Sequence, residues 1–399
     1  MATETASTVA LVPLAGPGTH VPALDGVRGL AILLVLIMHL MLFNNNNGNR
    51  WMDALSQLQG LCGAGVDLFF VLSGFLITGI LYDTLHGEHY FRNFYMRRFL
   101  RIFPLYYGFL FLLLALTPWL HVTWGGRQFV LLAYLQNTAI WFPVSGFHPS
   151  LVVDLNHFWS LAVEEQFYCV WPLVVFLVRD RKRLMQLALG LSACALALRI
   201  ALATYSTALA SGIVHEWTLC RMDTLMLGGV LALWLRGDGS SIRSAERHRM
   251  LLAIFFWAAV LLISVYAAIH PRVAFGYGFF GATYGGTLLA LAFAVLIFLS
   301  IQPGTLWNRF FSVAWLRSLG KYSYGMYVLH ILVGYLLSTT IRKWLGTSLR
   351  IWLTPRLHSR PAAILVEFAV SVSVVYAAAW LSYNLYEVRF LRLKRRFAA

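Results

Sequence analysis

Charged residues are scarce in this 399-residue sequence: Asp, Glu, Lys and Arg together make up 12% of it, about half the roughly 25% usual in soluble domains. Long polar stretches are missing as well, which leaves no room for an appended soluble domain. With 59% hydrophobic residues, 15% aromatic residues and a mean hydropathy of +0.70, the soluble class is excluded and a polytopic membrane protein remains. Short strands of alternating polarity are also lacking. The apolar runs are continuous over about 20 residues, so the spans are helices and a closed barrel is excluded. Cysteine is limited to Cys62, Cys169, Cys194 and Cys220, scattered without metal-ligand spacing. They read as packing residues; nothing supports a Cys62–Cys220 bridge. No Lys or Arg precedes Arg28, and no cleavable apolar core precedes it either. Residues 1–22 therefore read as a short cytoplasmic tail and not as a signal peptide.

Acidic residues are the scarcest charge: 16 against 31 bases, a formal net charge of +15. Such a balance invites a nucleic-acid partner, and the distribution of the bases excludes it. With the chain starting in the cytoplasm, the segments 92–101, 179–183, 236–249, 309–321 and 389–396 fall inside and hold 20 of the 31 bases. That is the positive-inside bias of a protein whose partner is the lipid bilayer of the cell membrane.

What is present is organised around the first apolar stretch, 23–43, which carries an Arg and a His inside a membrane span. Eleven residues at about 100° each bring His39 back to within roughly 20° of Arg28, about 16 Å away along the axis. Ionisable groups in a span usually face a cavity and mark function. The plainer reading has Arg28 snorkelling beside Asp25 and His39 bonding to a neighbouring helix.

Ten spans follow from hydropathy and parity: 23–43, 62–81, 103–118, 159–178, 184–203, 220–235, 250–269, 279–300, 322–341 and 362–383. Both termini are then cytoplasmic. The basic aromatic segment 91–104 reads as an interfacial helix ahead of the third span. The piece 129–142 is short, carries Gln136 and Asn137, and reads as re-entrant or interfacial, since an even number of crossings must separate the flanking basic clusters. The expected fold is thus an all-α polytopic membrane protein, with a membrane domain over 23–388 and a basic cytoplasmic tail over 389–399. The loop 342–360, placed outside, holds five bases against the charge rule. Either the topology slips there or the loop binds something anionic.

The motifs come in order: Arg28 and His39 with ten residues between them, GVDLFFVLSGFLI (65–77), RRFLRIFP (97–104), FWSLAVEEQFY (158–168), RMDTLMLGG (221–229) and GKYSYGMYVLH (320–330). The set spans nearly the whole chain and resembles the acyltransferase-3 family of integral membrane O-acyltransferases. That resemblance implies His39 as the catalytic histidine and Arg28 as its partner. It also implies Arg98 and Arg101 as an Arg-x-x-Arg pair that receives acyl-coenzyme A, most simply acetyl-coenzyme A, from the cytoplasm as a cosubstrate. The acceptor would be a hydroxylated molecule, usually a cell-surface glycan. Some members carry an additional extracytoplasmic esterase-like domain, which is not expected in this sequence.

The chemistry is compatible with these roles. An alcohol is a poor nucleophile at neutral pH, and a neutral imidazole is a suitable base for it. An extended pantetheine arm matches the Arg28 to His39 separation in order of magnitude, and guanidinium groups suit phosphate oxygens. Glu164 and Glu165 are adjacent, so on a helix at most one should face His39's cavity. Glu164 is taken as the group orienting the imidazole and Glu165 as pairing an Arg, with the reverse open. Ser160, His157, Tyr324, Tyr327 and His330 are candidate cavity or substrate residues. His157 doubles as a loop-end cap, and the polar side of the ninth span is equally suited to interhelical hydrogen bonds. Arg221 and Asp223, two apart, should pair across helices. No metal is expected. A histidine that carries the acyl group itself is a second mechanism. The rival function is a secondary transporter or glycan exporter without acyl transfer, for which the sequence shows no inverted repeat.

Overall fold

The computed structural model describes residues 20–41, 56, 59–120, 128–138, 155–205, 213–237, 239–270 and 278–397. All regular elements among them are helical. Ten long helices carry the fold: α1 (Pro22–Leu40), α2 (Ala64–Asp83), α3 (Tyr90–Ala115), α4 (Trp159–Val178), α5 (Arg181–Tyr205), α6 (Thr218–Trp234), α7 (Arg249–Ile269), α8 (Gly286–Ile301), α9 (Ala314–Leu345) and α10 (Arg360–Ser382). Among the described residues nine helices are long and apolar enough to cross a bilayer. α8 is counted among them because the π-helical turn Gly281–Gly285 runs into it, giving 21 residues from Gly281 to Ile301; the tenth, α6, has 17 residues, a rise of about 26 Å that falls just short of the roughly 30 Å hydrocarbon core. The protein is an all-α polytopic membrane protein.

Local sequence explains how the central helices start and meet. Pro22 opens α1 with its φ already helical, and Asp25 sits in the first turn, where the helix dipole favours an anion. α1 then lies directly against α9. A Cβ on Gly320 would come within 1.8 Å of the Asp25 carbonyl oxygen, and one on Gly29 within 1.9 Å of the Leu316 oxygen. The pair α2 and α6 is as close: a Cβ on Gly228 would stand 1.9 Å from the Val71 oxygen, and one on Gly74 1.8 Å from the Leu225 oxygen. Backbone-on-backbone contact of this kind is open only to glycine and is how membrane helices gain packing energy without a hydrophobic drive.

Beside these contacts lie two buried ion pairs. Arg221 of α6 reaches Asp67 of α2 at 2.5 Å. Arg199 of α5, 1% exposed, pairs with Asp223 of α6, and the Thr287 hydroxyl donates to the same carboxylate at 2.7 Å. The expected cross-helix pairing of Arg221 and Asp223 is what the structure shows. No disulfide joins any of the four cysteines among the described residues.

One sequence expectation needs correction. The segment 91–104 is not a separate interfacial helix: α3 runs unbroken from Tyr90 to Ala115 through Pro104. Neighbours hold the helix where proline disrupts its ladder, since the Tyr324 hydroxyl donates to the Ile102 carbonyl at 2.7 Å and that of Tyr386 to the Pro104 carbonyl at 3.1 Å. The basic segment 389–399 is helical through Phe397. It lies along α3, with the Arg92 guanidinium 5.4 Å from the Phe397 ring centre. In the short piece 129–142 a single helix, Gln128–Leu132, leads into a turn, far below the length of a crossing; its end, and most of residues 1–22, lie outside the described residues. In the basic loop, Arg350 pairs with Glu367 at 2.6 Å and Arg356 stacks 3.6 Å from the Trp352 ring centre.

Candidate active site

Helices α1, α2, α3, α4 and α9 enclose a cavity of about 130 Å³. Into it project Arg28 from α1, Ser73 from α2, Arg98 and Arg101 from α3, Ser160, Glu164, Glu165 and Tyr168 from α4, and Ser323, Tyr324 and Tyr327 from α9. Residues one helical turn apart share a face, which is why Arg98 with Arg101, Ser160 with Glu164 and Tyr168, and Tyr324 with Tyr327 arrive together.

The cavity continues toward the basic end of the protein. There a vestibule of about 790 Å³ is lined by Arg28, Arg97, Arg98, Arg101, Arg317, Lys321 and Lys394, with Asp25 and His20 as its acid and imidazole. Arg28, Arg98 and Arg101 belong to both spaces. Of these, only Arg28 has a carboxylate partner among the described residues, Asp25 at 3.3 Å, and Asp25 also holds His20 at 2.6 Å. The other two lie near aromatic faces: Arg98 5.7 Å from the Tyr168 ring centre and Arg101 6.0 Å from that of Tyr324. Seven cations around one carboxylate form a site for a polyanion.

Toward the opposite end the cavity gives way to three histidines. His330 of α9 has its ring centre 5.0 Å from that of His39 and 4.8 Å from that of His157, with 6.4 Å between the latter two. His39 bonds through Nδ1 to the Val35 carbonyl at 2.9 Å, and His330 through Nδ1 to the Tyr327 carbonyl at 2.7 Å. A carbonyl only accepts, so Nδ1 carries the hydrogen on each neutral ring and Nε2 carries a lone pair. The Tyr327 hydroxyl donates to the His157 carbonyl at 2.5 Å and lies 2.5 Å from the Ser160 hydroxyl, which fixes the turn before α4 beneath the histidines.

The structure thus divides the predicted residues into two groups. Arg28, Arg98, Arg101, Glu164, Glu165 and Tyr324 line the charged cavity; His39, His157 and His330 form the histidine cluster, and Ser160 and Tyr327 stand between them. The expected pairings of the two glutamates do not form. No hydrogen bond joins Glu164 to His39 and no ion pair joins Glu165 to an arginine among the described residues. Both carboxylates line the same cavity. Glu164 lies one turn beyond Ser160, hence about 6 Å along α4 from the level of Tyr327 and His157, where it faces the Ser73 and Tyr168 hydroxyls and the guanidiniums of Arg98 and Arg28. Glu165, on the next face, also borders a lateral apolar groove with Phe99 and Tyr134.

Sequence reasoning missed Ser73 and Tyr168, whose hydroxyls are 2.6 Å apart, although Tyr168 follows Glu164 by one turn. It also missed Lys321, Arg317 and Lys394 as vestibule walls, which no local pattern marks. Beyond the spans, His215 is half-buried against Trp159, ring centres 5.0 Å apart. Desolvation first and the nearby Arg221 second hold its pKa down to about 3. Among the described residues no group of three His, Cys, Asp or Glu side chains is arranged to hold a metal ion.

Comparison with known proteins gives this geometry its context. The family model described as an acyltransferase domain matches residues 21–383. Among curated proteins, YrhL of Bacillus subtilis, described as a candidate peptidoglycan O-acetyltransferase, is 31% identical over 345 residues, covering 81% of this chain and 50% of its own. The peptidoglycan O-acetyltransferase OatA of Listeria monocytogenes is 29% identical over 325 residues, 78% of this chain and 49% of its own. The O-acetyltransferase OatA of Staphylococcus aureus is 27% identical over 329 residues, 78% of this chain and 50% of its own. The chain spans about half the length of these relatives. No solved structure matches it.

Proposed function

The chain belongs to the acyltransferase-3 family, and from that premise we propose that it transfers an acyl group, most simply acetyl, from cytoplasmic acyl-coenzyme A to a hydroxyl of a cell-surface glycan, working as a multi-pass protein of the cell membrane. The observation that carries this reading is the passage from a seven-cation vestibule, past three shared arginines, to a cluster of histidines. The nucleotide phosphates occupy the vestibule, where Arg98 and Arg101 meet them with charge-assisted hydrogen bonds. The pantetheine arm passes Arg28 and runs along α1, delivering the thioester about 16 Å further on, near His39.

At the thioester, His39 Nε2 takes the proton of the acceptor hydroxyl as its oxygen attacks the acyl carbonyl. The new C–O bond forms, the C–S bond breaks, and the coenzyme A thiolate leaves with a proton. Products are the ester and the free thiol. Glu164, facing Arg28 and Arg98, balances their charge before the donor arrives. The glycan acceptor is inferred from the names of the relatives, two of which are described by peptidoglycan acetylation.

The test uses the purified full chain, radiolabelled acetyl-coenzyme A and a β-1,4-linked N-acetylglucosamine oligomer as acceptor. The wild type should acetylate the oligomer, and His39→Ala should bind the donor yet lose transfer by about 10²–10⁴-fold. A wild type that binds no acetyl-coenzyme A, or a His39→Ala variant that transfers normally, would contradict the assignment.

A further inference from the structure

The vestibule holds more positive charge than a diphosphate needs. Arg28, Arg98 and Arg101 stand at the neck that it shares with the cavity, and Lys394 is faced by these three and by Arg97. Arg317 and Lys321 come from a different wall, α9, and border the vestibule without lining the cavity. Four residues apart, they share one face of that helix. Tyr324, which does line the cavity, follows them by three and seven residues, so the pair lies roughly 5 and 10 Å further toward the basic end. Neither makes an ion pair among the described residues, and the vestibule's acid, Asp25, is engaged by Arg28 and His20. The Lys321 ammonium lies 5.0 and 5.1 Å from the ring centres of Tyr322 and Tyr383, contacts that steer it without neutralising it. The Nε of Arg317 is buried with no hydrogen-bond partner. A base that serves only the positive-inside bias keeps its donors in water, whereas an unmatched buried donor on a charged group is costly and calls for a reason.

From the thiol outward, coenzyme A consists of a pantetheine arm, a diphosphate and a ribose that bears a 3′-phosphate. The cations follow the same order, with the neck arginines first and the α9 pair beyond them. We infer that Arg317 and Lys321 form a separate subsite for the 3′-phosphate of the donor, an inference that rests on the acyl-coenzyme A reading. A phosphate monoester carries about −1.5 to −2 charge at pH 7 and offers three strong acceptor oxygens, a match for one planar guanidinium and one ammonium. The neck sets where the diphosphate sits, and the α9 pair sets which molecule is accepted. A 3′-phosphorylated donor is thereby selected over dephospho-coenzyme A. It is also selected over pantetheine carried on a protein serine, which has one phosphate and no nucleotide.

Titration calorimetry on the purified full chain, with coenzyme A and dephospho-coenzyme A as the two ligands, reads this selection directly. The wild type should prefer coenzyme A by about 10- to 100-fold, the effect of one charge-assisted hydrogen bond. In Arg317→Gln/Lys321→Gln the preference should fall below about threefold, while Arg317→Lys, which keeps the charge, should retain most of it. Arg98→Ala/Arg101→Ala should weaken both ligands by the same factor and leave the preference intact. A wild type that binds the two ligands equally overturns the inference while the donor reading stands, and this comparison needs no variant to fold. Equal weakening of both ligands in Arg317→Gln/Lys321→Gln, with the preference kept, also overturns it, because the pair then acts only through the general field of the vestibule. A wild type that binds neither ligand overturns the donor reading, and the inference with it.

Discussion

Two groups of buried charge lie within the same membrane bundle, and they are built on opposite rules. Around α6, Arg199 is matched by Asp223 and Thr287, and Arg221 by Asp67. Around the cavity of α1, α3 and α4, the arginines Arg98 and Arg101 and the carboxylates Glu164 and Glu165 have no ion pair among the described residues, and they face open space. The first arrangement holds helices together, since breaking one member of a buried pair strands the other. The second keeps charges in the membrane without closing them off, which is worthwhile only where a charged molecule enters. Residue type alone does not separate the two groups. The distinction lies in whether the partner belongs to the protein.

The largest effect should come from breaking the closed group. Asp223→Ala leaves Arg199 charged and unmatched, which should cost about 3–5 kcal/mol and appear as loss of folded, monodisperse protein or a steep fall in melting temperature. Arg98→Ala with Arg101→Ala, the corresponding change in the open group, should leave the melting temperature at or above that of wild type, because it relieves repulsion in the vestibule. It should instead weaken coenzyme A binding by about 1.5–3 kcal/mol per arginine, readable by calorimetry. Smaller still, Glu164→Gln removes an anion near the phosphate path and should tighten coenzyme A binding by roughly 1 kcal/mol, about fivefold; weaker binding would place Glu164 in direct contact with the donor.

The smallest effect concerns His215, outside both groups. Its pKa, held down to about 3 in the folded chain, lies below the usual value near 6.5 in the unfolded one. The unfolded state therefore binds the proton first. The stability this contributes is complete above about pH 6.5 and is lost as the pH falls toward 3. His215→Phe should flatten the acid-side decline in melting temperature across that window while changing little at pH 7.5.

The comparison also shows what a sequence can and cannot disclose. Arg28 and His39 were legible because helical periodicity alone puts them on one face, and Arg221 and Asp223 because residues two apart on a helix must find partners elsewhere. Their partners Asp67 and Arg199 were not, since helix-on-helix register depends on glycine contacts such as Gly74 with Leu225, and these have no local signature. For the same reason Glu164 was set against His39: periodicity fixes its direction about α4 but not its height relative to α1. Lys394 reaches the vestibule from a segment nearly 300 residues after Arg101, by way of helical turns that fold back along α3. The basic, aromatic stretch 91–104 suggested an interfacial helix of its own, whereas α3 runs on through Pro104, held by tyrosines on α9 and after α10.

The most direct test of the central claim is the melting temperature of the purified full chain with and without excess coenzyme A, measured on wild type, His39→Ala and Arg98→Ala/Arg101→Ala. A ligand held by the open charges stabilises the folded state by about 2.7 kcal/mol at a hundredfold excess over its Kd. The account predicts an equal rise for wild type and His39→Ala and little or none for the double arginine variant, whose unliganded melting temperature stays at or above wild type. An equal rise in all three proteins, or none in wild type, would contradict it.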